Sequence, residues 1–200
     1  NELSPRRAEI LEQLGIGKPY EHNAENLYAL LEPDIKAGKI KRPTVVVMNP
    51  PFSNAQRTNK KNTHVGADHV EQALKLLAPG GRLVAVVGNG MAHDRPAFKA
   101  WWDRIGREYT VRANIGVNGQ EYAKYGTTFD NNIIVIDKVA PTGAITPIYG
   151  KISSLDELPA LLEGVKNDRP RIQKEQNEQL DTVGNSRVEQ SSGGAKPIQS

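Results

Sequence analysis

Two hundred residues are enough for one ordinary domain with a hydrophobic core. Twenty-six lysines and arginines against 23 aspartates and glutamates leave a formal charge of +3, too mild on its own to imply an avid polyanion binder. The absence of cysteine excludes disulfides, thiolate zinc sites and cysteine nucleophiles, and with them carbon-5 cytosine methylation and cysteine-dependent hydrolysis. No window approaches 18 consecutive apolar residues, and the opening Asn1–Arg7 is not a signal sequence, so a soluble, cytoplasmic chain with no membrane partner is expected.

The first predicted element is a helix with Ser4 as N-cap, Pro5 at its first position and Ile10, Leu11 and Leu14 on one face; Gly15 and Gly17 end it. A shorter helix is expected from about Ala24 to Leu31, stopped by Pro33. Thr44–Met48 is an uninterrupted apolar run closed by two prolines, the pattern of a strand buried on both faces of a parallel sheet. Val70, Ala73, Leu74 and Leu77 recur at helical spacing before Pro79-Gly80-Gly81, and Leu83–Val87 resumes as a second strand, so the two strands and their helix form a crossover unit. Asp94 and Pro96 open a helix whose face is Phe98, Trp101, Trp102 and Ile105, a spacing that puts at least one of the tryptophans in the core, with stacking platforms as the alternative.

Tyr109, Val111, Ala113, Ile115 and Val117 alternate as a strand, and Asn132–Asp137 is the last one. With no helix between them, these two are expected to pair antiparallel at one edge of the sheet. Leu155, Leu158, Leu161, Leu162 and Val165 suit one short amphipathic helix. From Lys166 onward polar residues dominate. The expected organisation is a partial domain over 1–150, the short helix over 151–165, and a polar linker or disordered tail over 166–200, with further domains of the same polypeptide to follow.

Asn49-Pro50-Pro51-Phe52 falls at the carboxyl end of the first clear strand, where open α/β sheets bind ligands. These residue types suit methylation of an exocyclic amine. Such a nitrogen delocalises its lone pair into the ring and is a poor nucleophile until it is rehybridised and aimed. The Asn49 side-chain carbonyl and the Pro50 backbone carbonyl can accept its two protons, the prolines stiffen the loop, and Phe52 can stack on the base. A neutral asparagine is no general base, so the transfer is direct and in-line, with proton loss afterwards. Arg57, Lys60 and Lys61, just past the tetrapeptide, are candidate phosphate contacts.

Over roughly residues 1 to 140 the chain resembles S-adenosylmethionine-dependent amino-group DNA methyltransferases in which the cofactor motifs precede the catalytic one. It looks most like adenine-N6 enzymes that are modules of larger mobile-element or restriction-modification proteins. The resemblance implies an α/β, Rossmann-like sheet, mostly parallel with an antiparallel edge strand. It also implies S-adenosylmethionine as cofactor, DNA as partner and no metal. Glu2 matches the acidic residue that binds the cofactor ribose, and Asn23-Ala24-Glu25-Asn26-Leu27 resembles the motif near its adenine, with Ala24 and Glu25 as contacts and Asn49 against the cofactor too. Tyr125-Gly126-Thr127-Thr128-Phe129-Asp130-Asn131-Asn132 resembles the late motif that holds the flipped base, with Tyr125 and Phe129 as stackers.

The family's glycine-rich cofactor loop should lie upstream of Glu2 and is not in this sequence. Val87-Gly88-Asn89-Gly90-Met91-Ala92-His93 carries His93 where a third glycine belongs and reads as the loop after the next strand. A sheet truncated at the N-terminus, binding cofactor poorly by itself, is therefore expected. Cytosine-N4, ribosomal-RNA guanine and protein glutamine are alternative targets of the same motif. A non-catalytic nucleic-acid-binding module of the same fold is the alternative outside enzymes. His22, His64, His69 and His93 show no metal-ligand spacing and are expected at the surface or at helix caps.

Overall fold

A computed structural model describes residues 1–15, 17–52 and 64–172. Helix α1 (Pro5–Gln13) begins after an extended Ser4, with Pro5 at the first position, where a missing N–H costs nothing. Helix α2 (Leu27–Lys36) differs from the sequence expectation: Pro33 lies inside it instead of ending it. The bonds that follow the proline survive, Ala37 N–H donating to the Pro33 carbonyl, and a paired Glu32 and Arg42 (2.8 Å) tie the helix down beyond it.

The sheet contains β1 (Val45–Met48), β2 (Arg82–Gly88), β3 (Thr110–Val117), β4 (Asn131–Asp137) and β5 (Ile148–Ile152) in the order β1-β2-β4-β3-β5. Helix α3 (Val65–Leu76) joins β1 to its parallel neighbour β2, and α4 (Lys99–Glu108) precedes β3. Four strands run one way and β4 alone is reversed, so the sheet is mixed and mostly parallel. The expected antiparallel pairing of β3 with β4 is present, but not at an edge: β4 lies between β2 and β3. Ile133, Ile134, Val135 and Ile136 are apolar on both faces, and only an interior position buries both. The parallel strand β5, which carries Gly150 and Lys151 and no clear periodicity, takes the edge beside β3.

One core packs Val70, Leu74 and Leu77 of the α3 region and Trp101 and Ile105 of α4 on Leu83, Ala85, Val87, Ile134 and Ile136. The opposite core joins Ala113, Ile115, Val117, Ile133 and Val135 to Val165 and the leucines that follow β5. The single apolar face expected for β3 is divided between them. Val111 packs on the first core and Ala113 on the second, because a bulge at Arg112 reverses the alternation. Nor is β1 buried on both faces. Val46 and Met48 pack on the first core, whereas Val45 and Val47 are 43% and 78% exposed, because the second core reaches only as far as β2.

The expected amphipathic helix over 151–165 is broken into short pieces, a 3-10 turn at Leu155–Glu157, α5 (Leu158–Leu161) and α6 (Glu163–Asn167). Residues 166–172, expected to begin a free tail, belong to the fold. Asp137 is fully buried and accepts from Arg82 Nε (2.6 Å), Arg82 Nη2 (2.9 Å) and Arg112 Nη1 (3.4 Å). The same two guanidiniums donate to the carbonyls of Val165 and Asp168, and Arg169 donates to the Thr44 carbonyl (2.9 Å). Gly80, at φ +82°, lets the strap pass, since the Arg171 carbonyl occupies the place of its absent Cβ. Residues 173–200 lie outside the described residues.

Asp137→Ala leaves two buried guanidiniums without their carboxylate and is expected to cost about 3 kcal/mol or more in urea unfolding. Asp168→Ala, which removes only a largely exposed carboxylate from Arg112, should cost under about 1 kcal/mol in the same measurement.

Candidate active site

The carboxyl end of β1 stops where Pro50 and Pro51 withdraw two successive amide donors from the ladder. Asn49 is left exposed, Pro50 is buried, and among the described residues no hydrogen bond holds the Asn49 side-chain amide. Its oxygen is free to accept. Phe52 folds against the end of β2, where a Cβ on Gly88 would stand 3.1 Å from the Phe52 Cβ. A glycine is required there for close packing.

Beside this loop lies a cavity of about 670 Å³, within the range of small-molecule and cofactor sites. Its wall includes Glu2, Ala24, Asn49, Pro50 and Pro51, so residues spread over 50 positions of sequence converge on one space. The convergence is built by short backbone pairings. The N–H of Glu2 donates to the Tyr20 carbonyl (2.9 Å), and the Asn1 amide exchanges hydrogen bonds with the backbone of His22. The Asn23 side chain caps the 3-10 turn Ala24–Asn26 by accepting from the Glu25 N–H.

Glu2 Oε1 accepts from Arg7 Nη2 (2.9 Å) and from the Ser4 N–H at the start of α1 (2.8 Å). Oε2 has no partner among the described residues. The Arg7 hydrogen bond, helped by the Ser4 amide, holds the Glu2 carboxyl below the usual carboxylate range. The wall therefore carries a fixed, ionised acceptor, which suits the diol of a ribose.

Three expected residues stand elsewhere. Glu25 is exposed and faces a smaller hollow with Asp68, Glu71, Gln72 and Lys75, its Oε2 accepting from Asn23 (3.4 Å). Phe129 is 75% exposed on the loop before β4, and Phe52 is on the β2 side of the catalytic loop. Arg57, Lys60 and Lys61 lie outside the described residues, as does the side chain of Tyr125. Asp130 anchors the late motif by accepting from the Gly119 N–H (2.8 Å) and pairing with Lys151 (3.1 Å). Both tryptophans are structural, Trp101 donating to Glu71 (2.7 Å) and Trp102 to the Met91 carbonyl (2.9 Å). The loop Gly88–His93 is, as expected, the connection after β2.

His69 is the lining residue that sequence reasoning missed. It projects from α3 one turn before Ala73, and both line the cavity. Its signal was this i, i+4 relation to an apolar residue, whereas the histidines were weighed by metal-ligand spacing. Among the described residues no group of histidines and carboxylates could hold a metal ion, and no helix is long and apolar enough to cross a membrane.

Residues 18–101 match the family model of the methyltransferase small domain. Among curated proteins no sequence matches the chain. Of solved structures, a modification subunit assigned to a type I restriction enzyme from Vibrio vulnificus YJ016 is 16% identical over 85% of this chain and 41% of its own, with a TM-score of 0.58. The M protein of the type I restriction enzyme EcoKI is 17% identical over 68% of this chain and 30% of its own (TM-score 0.46). A class I S-adenosylmethionine-dependent methyltransferase from Listeria monocytogenes is 16% identical over 64% of this chain and 42% of its own (TM-score 0.44). The chain spans less than half the length of each. The fold is the Rossmann-like methyltransferase fold. The family match covers less than half of the chain.

The Glu2–Arg7 contact is testable without any ligand. Titration of the Glu2 side-chain carboxyl by NMR should show a midpoint below that of an ordinary glutamate, and Arg7→Ala should move it back up toward the ordinary range. The cavity wall then keeps its negative charge until the pH falls through that depressed midpoint.

Proposed function

We propose that the chain forms the catalytic part of a DNA methyltransferase that acts on the N6 amine of adenine. The observation that carries the reading is the convergence of Glu2, Ala24, Asn49 and Pro50 on one cavity, with no hydrogen bond to the Asn49 amide among the described residues. The fit to S-adenosylmethionine is chemical as well as spatial. Glu2 is a fixed, ionised acceptor for a ribose diol, its Oε2 without a hydrogen bond among the described residues, and Leu3, Ala24, Leu27 and Pro51 give apolar walls for a ring.

When bound, S-adenosylmethionine supplies an electrophilic methyl on a sulfonium. Asn49 Oδ1 and the Pro50 carbonyl accept the two protons of the target amine. That grip turns its lone pair toward the methyl and favours the positive charge that grows on nitrogen. The cofactor would supply the methyl group, its sulfur keeping the electron pair of the broken carbon–sulfur bond, and the surplus amine proton would pass from the Asn49 and Pro50 carbonyls to water. No protein nucleophile takes part, in keeping with the lack of cysteine. The target amine is paired inside the duplex, so the adenine must leave the stack, and the exposed Phe52 and Phe129 are the aromatic rings available to receive it. Glu25 is left as a residue of the cofactor motif that stands just outside the cavity wall, and Arg57, Lys60 and Lys61 as phosphate contacts beside the catalytic loop.

The likeness to type I modification subunits supports DNA as the substrate and further subunits or domains as partners. The experiment is transfer of labelled methyl from S-adenosylmethionine to unmethylated DNA by the complete reading frame that carries this chain, with the nucleosides separated. N6-methyladenine is expected, and Asn49→Ala should lower the rate by at least about 100-fold. Label in N4-methylcytosine, RNA or protein moves the substrate; an unchanged rate in the variant contradicts the role of Asn49.

A further inference from the structure

Three buried side-chain polar atoms lack a hydrogen-bond partner among the described residues: His69 Nε2, Asn131 Oδ1 and Asn132 Oδ1. All three lie at the end of the sheet where β1 delivers Asn49. Asn131 and Asn132 open β4 opposite Gly88 and Val87 at the end of β2, and His69 lines the cavity itself. An orphaned buried polar atom loses its hydration without compensation, and in a native protein it calls for an explanation. A ligand that completes the hydrogen bond is one: Nε2 itself is buried, but the half-buried ring of His69 borders the cavity.

We propose that His69 reads the adenine ring of the cofactor, its Nε2 hydrogen-bonding a nitrogen at the ring edge. This rests on the methyltransferase reading above and names the residue that gives its site specificity for adenine. The surroundings of His69 select an uncharged, flat ligand. Ala73 lies one turn along α3, and Ala24, Leu27, Pro50 and Pro51 complete an apolar wall. The ionised groups of the cavity, Glu2 and Arg7, are paired with each other, and the Asn23 oxygen is spent on its own capping bond. With Asn1 paired to the His22 backbone and Asn49 assigned to the target amine, His69 is a neutral polar group of the wall left to meet a heterocycle.

Burial lowers the His69 pKa, outweighing the nearby Glu25 and Asp68 carboxylates that raise it, so the ring stays neutral near pH 7. A neutral imidazole can present either an N–H or a lone pair, as a ring edge with both donors and acceptors requires. The imidazole as a whole is half-buried, so a turn about its Cβ–Cγ bond can present Nε2 to the cavity.

The test is calorimetric binding of S-adenosylhomocysteine, and of analogues in which one ring nitrogen is replaced by C–H, to the protein in its complete reading frame. The native protein, His69→Leu and His69→Gln are compared. The native protein should bind at least one deaza analogue about tenfold more weakly than the parent. His69→Leu should bind the parent about tenfold more weakly and no longer discriminate, and His69→Gln should keep most of both properties. The ligand-free His69→Leu protein should melt no lower than the native one, because the substitution removes an unsatisfied group.

Native-like binding by His69→Leu, uniformly weaker binding with discrimination retained, or a loss that tracks a lower melting midpoint would each overturn the role of His69. They would leave the methyltransferase reading standing. A native protein that binds no adenosyl ligand overturns the methyltransferase reading, and the role of His69 with it.

Discussion

Two consecutive prolines cannot donate to a strand ladder, and much of this molecule's chemistry follows from where they fall. Pro50 and Pro51 stop β1 one residue after Met48 has packed into the core, so Asn49 emerges at the carboxyl end of the sheet with its amide uncommitted. Pro50 is buried and Phe52 is braced against Gly88, which fixes the loop on both sides. An asparagine whose oxygen must accept from an incoming amine needs a rigid backbone and no competing partner, and both follow from this local sequence.

The opposite end of the sheet holds the strands in register. Asp137 gathers the guanidiniums of Arg82 and Arg112, and these bind the carbonyls of the chain segment that follows α6. Such a cluster adds little net stability over a well-packed apolar one, but it tolerates no missing member. It closes the sheet at the end opposite Asn49, whereas the buried orphaned atoms and the exposed Phe52 and Phe129 lie toward the Asn49 end. The ordering is typical of enzymes, in which rigidity is concentrated away from groups that must remain available.

Most of the strands and helices were legible in sequence because their apolar spacing is unambiguous: Leu83–Val87, Ile133–Ile136, and the Phe98, Trp101 and Ile105 face all stand where their periodicity puts them. What misled was context. The run Thr44–Met48 looks interior, yet it forms an edge strand with Val47 bare, since sequence records apolarity and not which neighbours are present to cover it. The true interior strand β4 has the same signature. The bulge at Arg112, whose guanidinium reaches the buried Asp137, reverses an alternation that looked continuous. Of the site, the Asn49 loop, Glu2 and Ala24 were legible from their motif positions. Glu25 lies one residue off the wall because its backbone serves the Asn23 cap, and His69 was hidden because a lone helical histidine has no pattern of its own.

The central claim, that the cofactor cavity and the Asn49 loop are one site at the carboxyl end of the sheet, is tested most directly by backbone amide shifts of the protein in its complete reading frame during titration with S-adenosylhomocysteine. The account predicts saturable perturbations confined to residues 1–3, 22–27, 48–49 and 66–73, with Asp137 and residues 165–169 unmoved. Perturbations centred on that far end, or scattered with no saturation, would contradict it.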